Sequence, residues 1–273
     1  MNHAQVLTEF IALITIVAQS SREAVVYKPA GLSSERGPTD RGESLITLVR
    51  AQCDWSDGQL PHRLDRPTRG LMMVSADRAQ AALHAEEIRE GRWTKWYFAR
   101  IPLESFEGHA SALLGEHKAY LKRVGRFARV VRSGGEASRL TVLAVEASTD
   151  CAEDAHALIR LDTGRFHQIR AMCAALGFPL VGDEDYGGPQ WRDQRAARSV
   201  DFAMMDLEAV ALRVERESAT DIHRLTAHRD RVGVHPALEA ALDAAMLVSG
   251  PNARRPNSSQ DASRRASQDS SQA

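Results

Sequence analysis

The sequence has no apolar run long enough to cross a bilayer. Its longest candidate, residues 10–18 (FIALITIVA), is half of the roughly 18 residues a span requires. Before that run stand only His3 and Glu9, where a secretory leader carries Lys or Arg. Cysteine is scarce: Cys53, Cys151 and Cys173 are odd in number and far apart, which excludes a disulfide framework and a zinc site of the usual spacing. A reducing, cytoplasmic setting is expected, with no membrane partner. Net charge is nearly absent, 35 Lys and Arg against 36 Asp and Glu, so the chain as a whole does not attract polyanions. Any nucleic-acid site must be local.

Familiar catalytic signatures are missing too. There is no Walker loop, G-x-G-x-x-G, G-x-S-x-G or H-E-x-x-H, and neither the His223/His228 pair nor the acidic cluster 183–185 has good metal spacing. Chemistry by side chains, with no metal and no organic cofactor, is what remains.

What is present is a mixture of strands and helices. Residues 13–19 read as a strand and 23–28 as its hairpin partner. A helix is expected over 75–91, capped by Asp77 with Ala81, Ala85 and Ile88 on one stripe and Gly91 after the last turn. The strand that follows, TKWYFARI, places Lys95, Tyr97, Ala99 and Ile101 on one face and Trp96, Phe98 and Arg100 on the other. Further strands are expected at 140–147, 157–161 and 207–214, and helices at 165–176 and 236–248. Strands in groups with occasional helices indicate α+β. Residues 1–24 read as an N-terminal extension with the first strand and 25–248 as the catalytic domain. Residues 249–273, which hold four arginines and two aspartates but no large apolar side chain, read as a disordered tail.

Three segments carry chemical potential. In 60–70 (LPHRLDRPTRG) one acid, Asp65, sits among cations that favour its ionised form; it is either a nucleophile or base or the anchor of a turn. In 163–177 (TGRFHQIRAMCAALG), Ile169, Met172, Cys173 and Leu176 form a buried stripe. Arg165, His167 and Arg170 load the first turns with positive charge against the helix dipole, so an anion is expected there: a phosphate, a carboxylate such as Asp65, or a plain structural salt bridge. The stretch 118–132 holds Lys118, Lys122, Arg123, Arg126, Arg129 and Arg132 without an acid, interleaved with Tyr120 and Phe127. It is either a nucleic-acid footprint or a solvated face.

Taken together, these residues resemble the RluA-type pseudouridine synthases, from about residue 25 to 188. The carriers are Lys28-Pro29-Ala30-Gly31, His62-Arg63-Leu64-Asp65 with Thr68 and Gly70, Lys95-x-Tyr97-x-Ala99, and Gly135-Glu136-Ala137-Ser138. They continue in Thr163-Gly164-Arg165, His167-Gln168-Ile169-Arg170, Gly177-x-Pro179, Gly182-Asp183 and Tyr186-Gly187. The resemblance implies an α+β catalytic domain with a mixed or antiparallel central sheet, flanking helices and a central cleft for RNA. A uridine would be flipped into that cleft and isomerised to pseudouridine. By position, Asp65 would form a transient covalent adduct, Tyr97 would stack on the uracil and help remove the C5 proton, and Arg170 would pair with Asp65. His62, Arg63, Arg66 and Thr68 from one motif and Arg165, His167 and Gln168 from the other are candidates for substrate contact. Lys122, Arg123 and Arg126 are candidates for the RNA path.

Three positions depart from the family pattern: Arg69 in place of Ser or Thr, Phe166 in place of Thr or Ser, and Met172 in place of a common His. After Val200 the expected Leu-His-Ala is replaced by DFAMMDLEAV. The expected substrate is structured RNA, either tRNA or rRNA, the H-R-L-D-R-P-T run leaning toward tRNA, and a monomer is expected. Two other readings stand beside this one: a non-catalytic RNA-binding or ribosome-assembly relative, and a glycosidic hydrolase using Asp65 with a second acid such as Asp183.

Overall fold

The computed structural model describes residues 14–37, 42–103, 113–190, 205–226 and 231–248. The expected tail, the start of the apolar run at 10–13 and the segment 201–204 lie outside the described residues. The anticipated hairpin near the start is present: β1 (Ile16–Gln19) pairs antiparallel with β2 (Glu23–Lys28). Next come α1 (Leu45–Cys53), β3 (Arg69–Ser75), α2 (Arg78–Arg89), β4 (Trp93–Pro102), β5 (Gly115–Val124), β6 (Phe127–Val131), β7 (Glu136–Ala147) and β8 (Asp154–Leu161). The order closes with α3 (Gln168–Ala175), a 3-10 turn at Glu184–Tyr186, β9 (Leu207–Glu215), β10 (Thr220–Arg224) and α4 (Pro236–Leu247).

All strands join one sheet in the order β1-β2-β3-β9-β4-β8-β7-β5-β6, with β10 on β9. Every pairing is antiparallel except the short parallel contact of β3 with β9 at Arg69–Glu208 and Gly70–Ala209. That contact explains Gly70: its φ is 118°, and a Cβ would stand 2.3 Å from the Ala209 carbonyl oxygen, a collision only glycine avoids.

The alternation read along β4 separates two cores. Tyr97, Ala99 and Ile101 pack on the front with α1 (Leu45, Ile46, Val49) and α3 (Ile169, Met172, Cys173). On the back, Trp96 and Phe98 meet Leu158 and Val210 under Leu238, Leu242 and Met246 of α4. Asp77 caps α2 by accepting from the Gln80 N–H at 2.7 Å, as its sequence signature requires. Helices on both faces cover the central strands, which are buried at nearly every position, whereas β5 is mostly exposed and β6 only partly buried. No described helix is long and apolar enough to cross a membrane.

Candidate active site

Asp65 lies on the loop between α1 and β3, and the residues around it are largely spent on holding that loop. The Lys28 side chain is fully buried and its ammonium donates to the carbonyls of Pro29, Leu32 and Arg66 at 2.9, 2.9 and 3.2 Å. Gly31 and Arg66 exchange two further bonds, N–H to carbonyl at 2.8 Å and Nε to carbonyl at 2.9 Å. Ser34 donates to the Leu64 carbonyl at 2.7 Å, and the Thr68 N–H closes the turn on the Asp65 carbonyl at 3.0 Å. The K-P-A-G motif is thus the clamp on the H-R-L-D turn.

His62 is held in the same way. Its Nε2 accepts the Met73 N–H at 2.9 Å and its ring meets Trp93 edge-on at 5.3 Å. Burial holds its pKa well below the usual value, so it is neutral and anchors the turn to β3. Arg63 is different: its side chain is 68% exposed and its Nη1 donates to Glu35 at 3.2 Å, an exposed pair that leaves it accessible to a ligand.

The second motif begins later than its periodicity indicated. The helix starts at Gln168 rather than 165, because His167 adopts a left-handed backbone, φ 51° and ψ 29°. Arg165 therefore lies in the preceding loop. Gln168 braces that loop: its Oε1 accepts from the Thr163 hydroxyl at 2.8 Å and the Arg165 N–H at 3.0 Å, and its Nε2 donates to the Arg139 carbonyl at 2.9 Å. Arg170, read as lying off the buried stripe, is in fact buried. Its guanidinium forks onto both oxygens of Asp183 at 2.8 and 2.7 Å, reaches Asp185 at 3.2 Å, and stands 3.9 Å from Asp65.

Asp65, Tyr97 and Arg170 nevertheless converge. They line one cleft of about 830 Å³ together with His62, Arg165 and His167. Burial pushes the Asp65 carboxyl up, opposed by the charges of Arg170 and Lys28; desolvation, which the sequence does not display, is the larger effect. Burial, reinforced by the Asp65 charge, holds the Tyr97 phenol well above its ordinary range. Lys95 lines the same cleft, and burial lowers its pKa from 10.5 to about 8.

The basic stretch 118–132 is a hairpin. β5 and β6 pair with Val124 opposite Phe127, leaving the two-residue loop Gly125-Arg126, with φ 59° at the glycine, as such loops favour. Strand alternation splits the cations between two faces. Lys122 and Arg129, which are directly paired, lie on one; Arg123 lies on the other, with its guanidinium over the Phe166 ring at 4.4 Å. From the loop, Arg126 meets Asp185 at 2.9 Å. The hairpin end is thus seated at the cleft mouth.

Residues 23–175, more than half of the chain, match the family described as RNA pseudouridylate synthase. The chain belongs to this family. It is 29% identical over 184 residues to the "Dual-specificity RNA pseudouridine synthase RluA" of Escherichia coli K12, covering 66% of this chain and 80% of that one. Against the protein of the same name in Salmonella typhi the identity is 30% over 182 residues, covering 65% and 78%. Two human structures share the fold. RNA pseudouridylate synthase domain containing 1 superposes with a TM-score of 0.63 at 22% identity, over 87% of this chain and 96% of that one. Domain containing 4 gives 0.57 at 20% identity, over 83% and 91%.

Of the three departures from the family pattern, two sit in packing. Arg69 is buried against Asp206 at 2.6 Å, and Met172 is in the front core. Phe166 alone lines the cleft, stacked on His167. Sequence reasoning assigned no site role to Lys28, Phe166 or Tyr186, although Lys28 and Tyr186 stand within the motifs that carried the resemblance. For Asp183 it offered only a hydrolase's second acid. The structure gives it a different task, since both its oxygens are engaged by Arg170.

Proposed function

We propose that the chain isomerises a specific uridine of structured RNA, tRNA or rRNA, with Asp65 as the carboxylate that forms the transient adduct. One observation supports this above the others: residues 65, 97 and 170, far apart in sequence, line a single open cleft. In the reaction the C1'–N1 bond breaks, the base turns, C1' bonds to C5, the C5 proton leaves and N1 gains a proton. A carboxylate destabilised by burial is the better nucleophile, while Arg170 and Lys28 keep it available as the anion. Tyr97, a protonated phenol, offers a ring for stacking and a hydroxyl near the base. All of this is acid, base and covalent chemistry that side chains supply, which supports action without a metal or organic cofactor. A monomer in a reducing, cytoplasmic setting belongs to the same reading, and the three free thiols support that setting.

A hydrolase reading fits less well, because Asp183 is committed to Arg170. The test is a map of pseudouridine across cellular tRNA and rRNA with and without the gene, joined to release of tritium from C5-labelled uridine in vitro. A site that disappears on deletion and returns with the wild-type gene but not with Asp65→Asn supports the proposal. An unchanged map and no tritium release would refute it.

A further inference from the structure

His167 combines a costly backbone with a crowded ring. Among described residues, only it and Asp54 hold positive φ without being glycine, a conformation that persists when surrounding contacts enforce it. Phe166 stacks on one face of the imidazole at 3.8 Å and 20°. Arg170 Nη1 lies 3.3 Å from Nδ1 and 3.2 Å from Nε2. A nitrogen equally near both could not lie in the ring plane without colliding with Cε1, so it sits over the other face and does not select a tautomer.

Tyr186 does. Its hydroxyl oxygen accepts the Ala128 N–H of β6 at 2.7 Å and stands 3.0 Å from His167 Nδ1. Among the described residues that nitrogen is the acceptor within reach of the hydroxyl proton, so donation from Tyr186 to Nδ1 is the arrangement in which the hydroxyl both accepts from Ala128 and donates within the protein. An Nδ1 that accepts leaves the hydrogen of the neutral ring on Nε2. Nε2 lies 3.9 Å from the Asp65 carboxylate, longer than a hydrogen bond, so an N–H there acts on the carboxylate as an aligned dipole. Burial, with Arg170 next, lowers the His167 pKa to about 4, so the ring is neutral at physiological pH.

We propose that the Tyr186 hydroxyl holds His167 as the Nε2–H tautomer and that this N–H orients the Asp65 carboxylate toward the nucleotide. His167 is then a positioning residue. A line of contacts runs from the hairpin backbone at Ala128 through Tyr186 and His167 to Asp65, so seating of the hairpin and aim of the carboxylate are linked. This rests on the reading of Asp65 given above.

The experiment joins histidine 15N NMR of the full chain to single-turnover kinetics. Wild-type protein should show His167 protonated at Nε2. Tyr186→Phe keeps the ring contacts and removes the hydroxyl; it should yield a mixed or Nδ1–H tautomer and slow the chemical step about tenfold, as for one modest hydrogen bond, with RNA affinity unchanged. His167→Gln, which keeps an amide donor, should retain several times the rate of His167→Phe, which keeps only the stack. An Nδ1–H tautomer in wild type, or equal rates for Gln and Phe at position 167, overturns the proposal. An Nε2–H tautomer in a protein without isomerase activity would instead leave the tautomer standing and sink the functional reading.

Discussion

Arg170 is tied to Asp183 by two short hydrogen bonds of 2.8 and 2.7 Å and touches Asp65 only at 3.9 Å. The guanidinium is therefore fixed by one acid in order to be presented to another. Presentation at that range favours the Asp65 anion without quenching it in a tight pair.

The first prediction concerns the fixing acid. Both side chains of the Arg170–Asp183 pair are almost entirely buried, and removing one partner of such a pair leaves an uncompensated charge that costs about 3–5 kcal/mol. Asp183→Asn should lower the unfolding free energy in chemical denaturation by less than that full cost, because Asp185 at 3.2 Å and Asp65 at 3.9 Å still face the guanidinium. It should also slow turnover, since Arg170 is then free to collapse onto Asp65. A variant as stable as wild type would show that the pair does not hold the site together.

Asp65→Asn should abolish isomerisation and leave RNA affinity within a few-fold, measured by filter binding. Its effect on stability has a sign. Burial raises the Asp65 pKa above its ordinary 3.8, so the folded state binds more protons than the unfolded one just above that pH. The stability due to Asp65 is then full in acid and is lost as pH rises through the folded value. Asp65→Asn should accordingly be more stable than wild type at pH 7, with the gap closing toward pH 3. A gap that instead widens in acid contradicts the cause assigned to the shift.

Tyr97→Phe should keep stacking and affinity while losing turnover. Because the phenol is held above its usual range by burial and by Asp65, the wild-type rate should show no alkaline limb from phenolate formation up to about pH 10, the ordinary tyrosine value. An alkaline limb below pH 10 in the wild-type profile, matched by phenolate absorbance that Tyr97→Phe lacks, would assign Tyr97 a phenolate role.

Strand alternation made the front face of β4 legible: Lys95 and Tyr97 line the cleft, Ala99 and Ile101 enter the front core, and Trp96 and Phe98 face the back. Helical periodicity likewise found the buried Ile169, Met172 and Cys173. It misplaced Arg170 because burial of a charge depends on a partner that arrives from another element, here Asp183 after the helix. For Asp65 the cationic neighbours were legible and the burial was not, because linear spacing shows charges but not desolvation. The β5–β6 hairpin was hidden by its own composition, with cations on both faces masking the period of two around a single Gly125. Helix α1, with Ser44 as its cap, and the strand character of β3 went unread beside the stronger H-R-L-D signal.

The hairpin carries the next prediction. Arg123 and Arg126 flank the cleft mouth at Phe166 and Asp185. Arg123→Gln and Arg126→Gln should each flatten the log–log salt dependence of RNA binding by about one unit for each phosphate that is no longer neutralised. Lys122→Gln tests the opposite face, and a flatter slope there would show that RNA wraps the hairpin rather than lying along its cleft side. No change for any of the three would place the RNA elsewhere.

Lys95 offers a test in which binding and stability move in opposite directions. Burial lowers its pKa from 10.5 to about 8, so it is a cation at pH 7 and mostly neutral by about pH 9. If it meets a phosphate in the cleft, RNA affinity should fall across that interval and the salt slope should shrink by about one. Stability behaves otherwise: between about 8 and 10.5 the unfolded chain binds the proton that the folded chain has released, so the fold gains stability as pH rises. Lys95→Met should abolish both trends at once and be more stable than wild type at pH 7. Affinity that is flat with pH in wild type while the stability trend persists would make Lys95 a buried strut with no part in holding RNA.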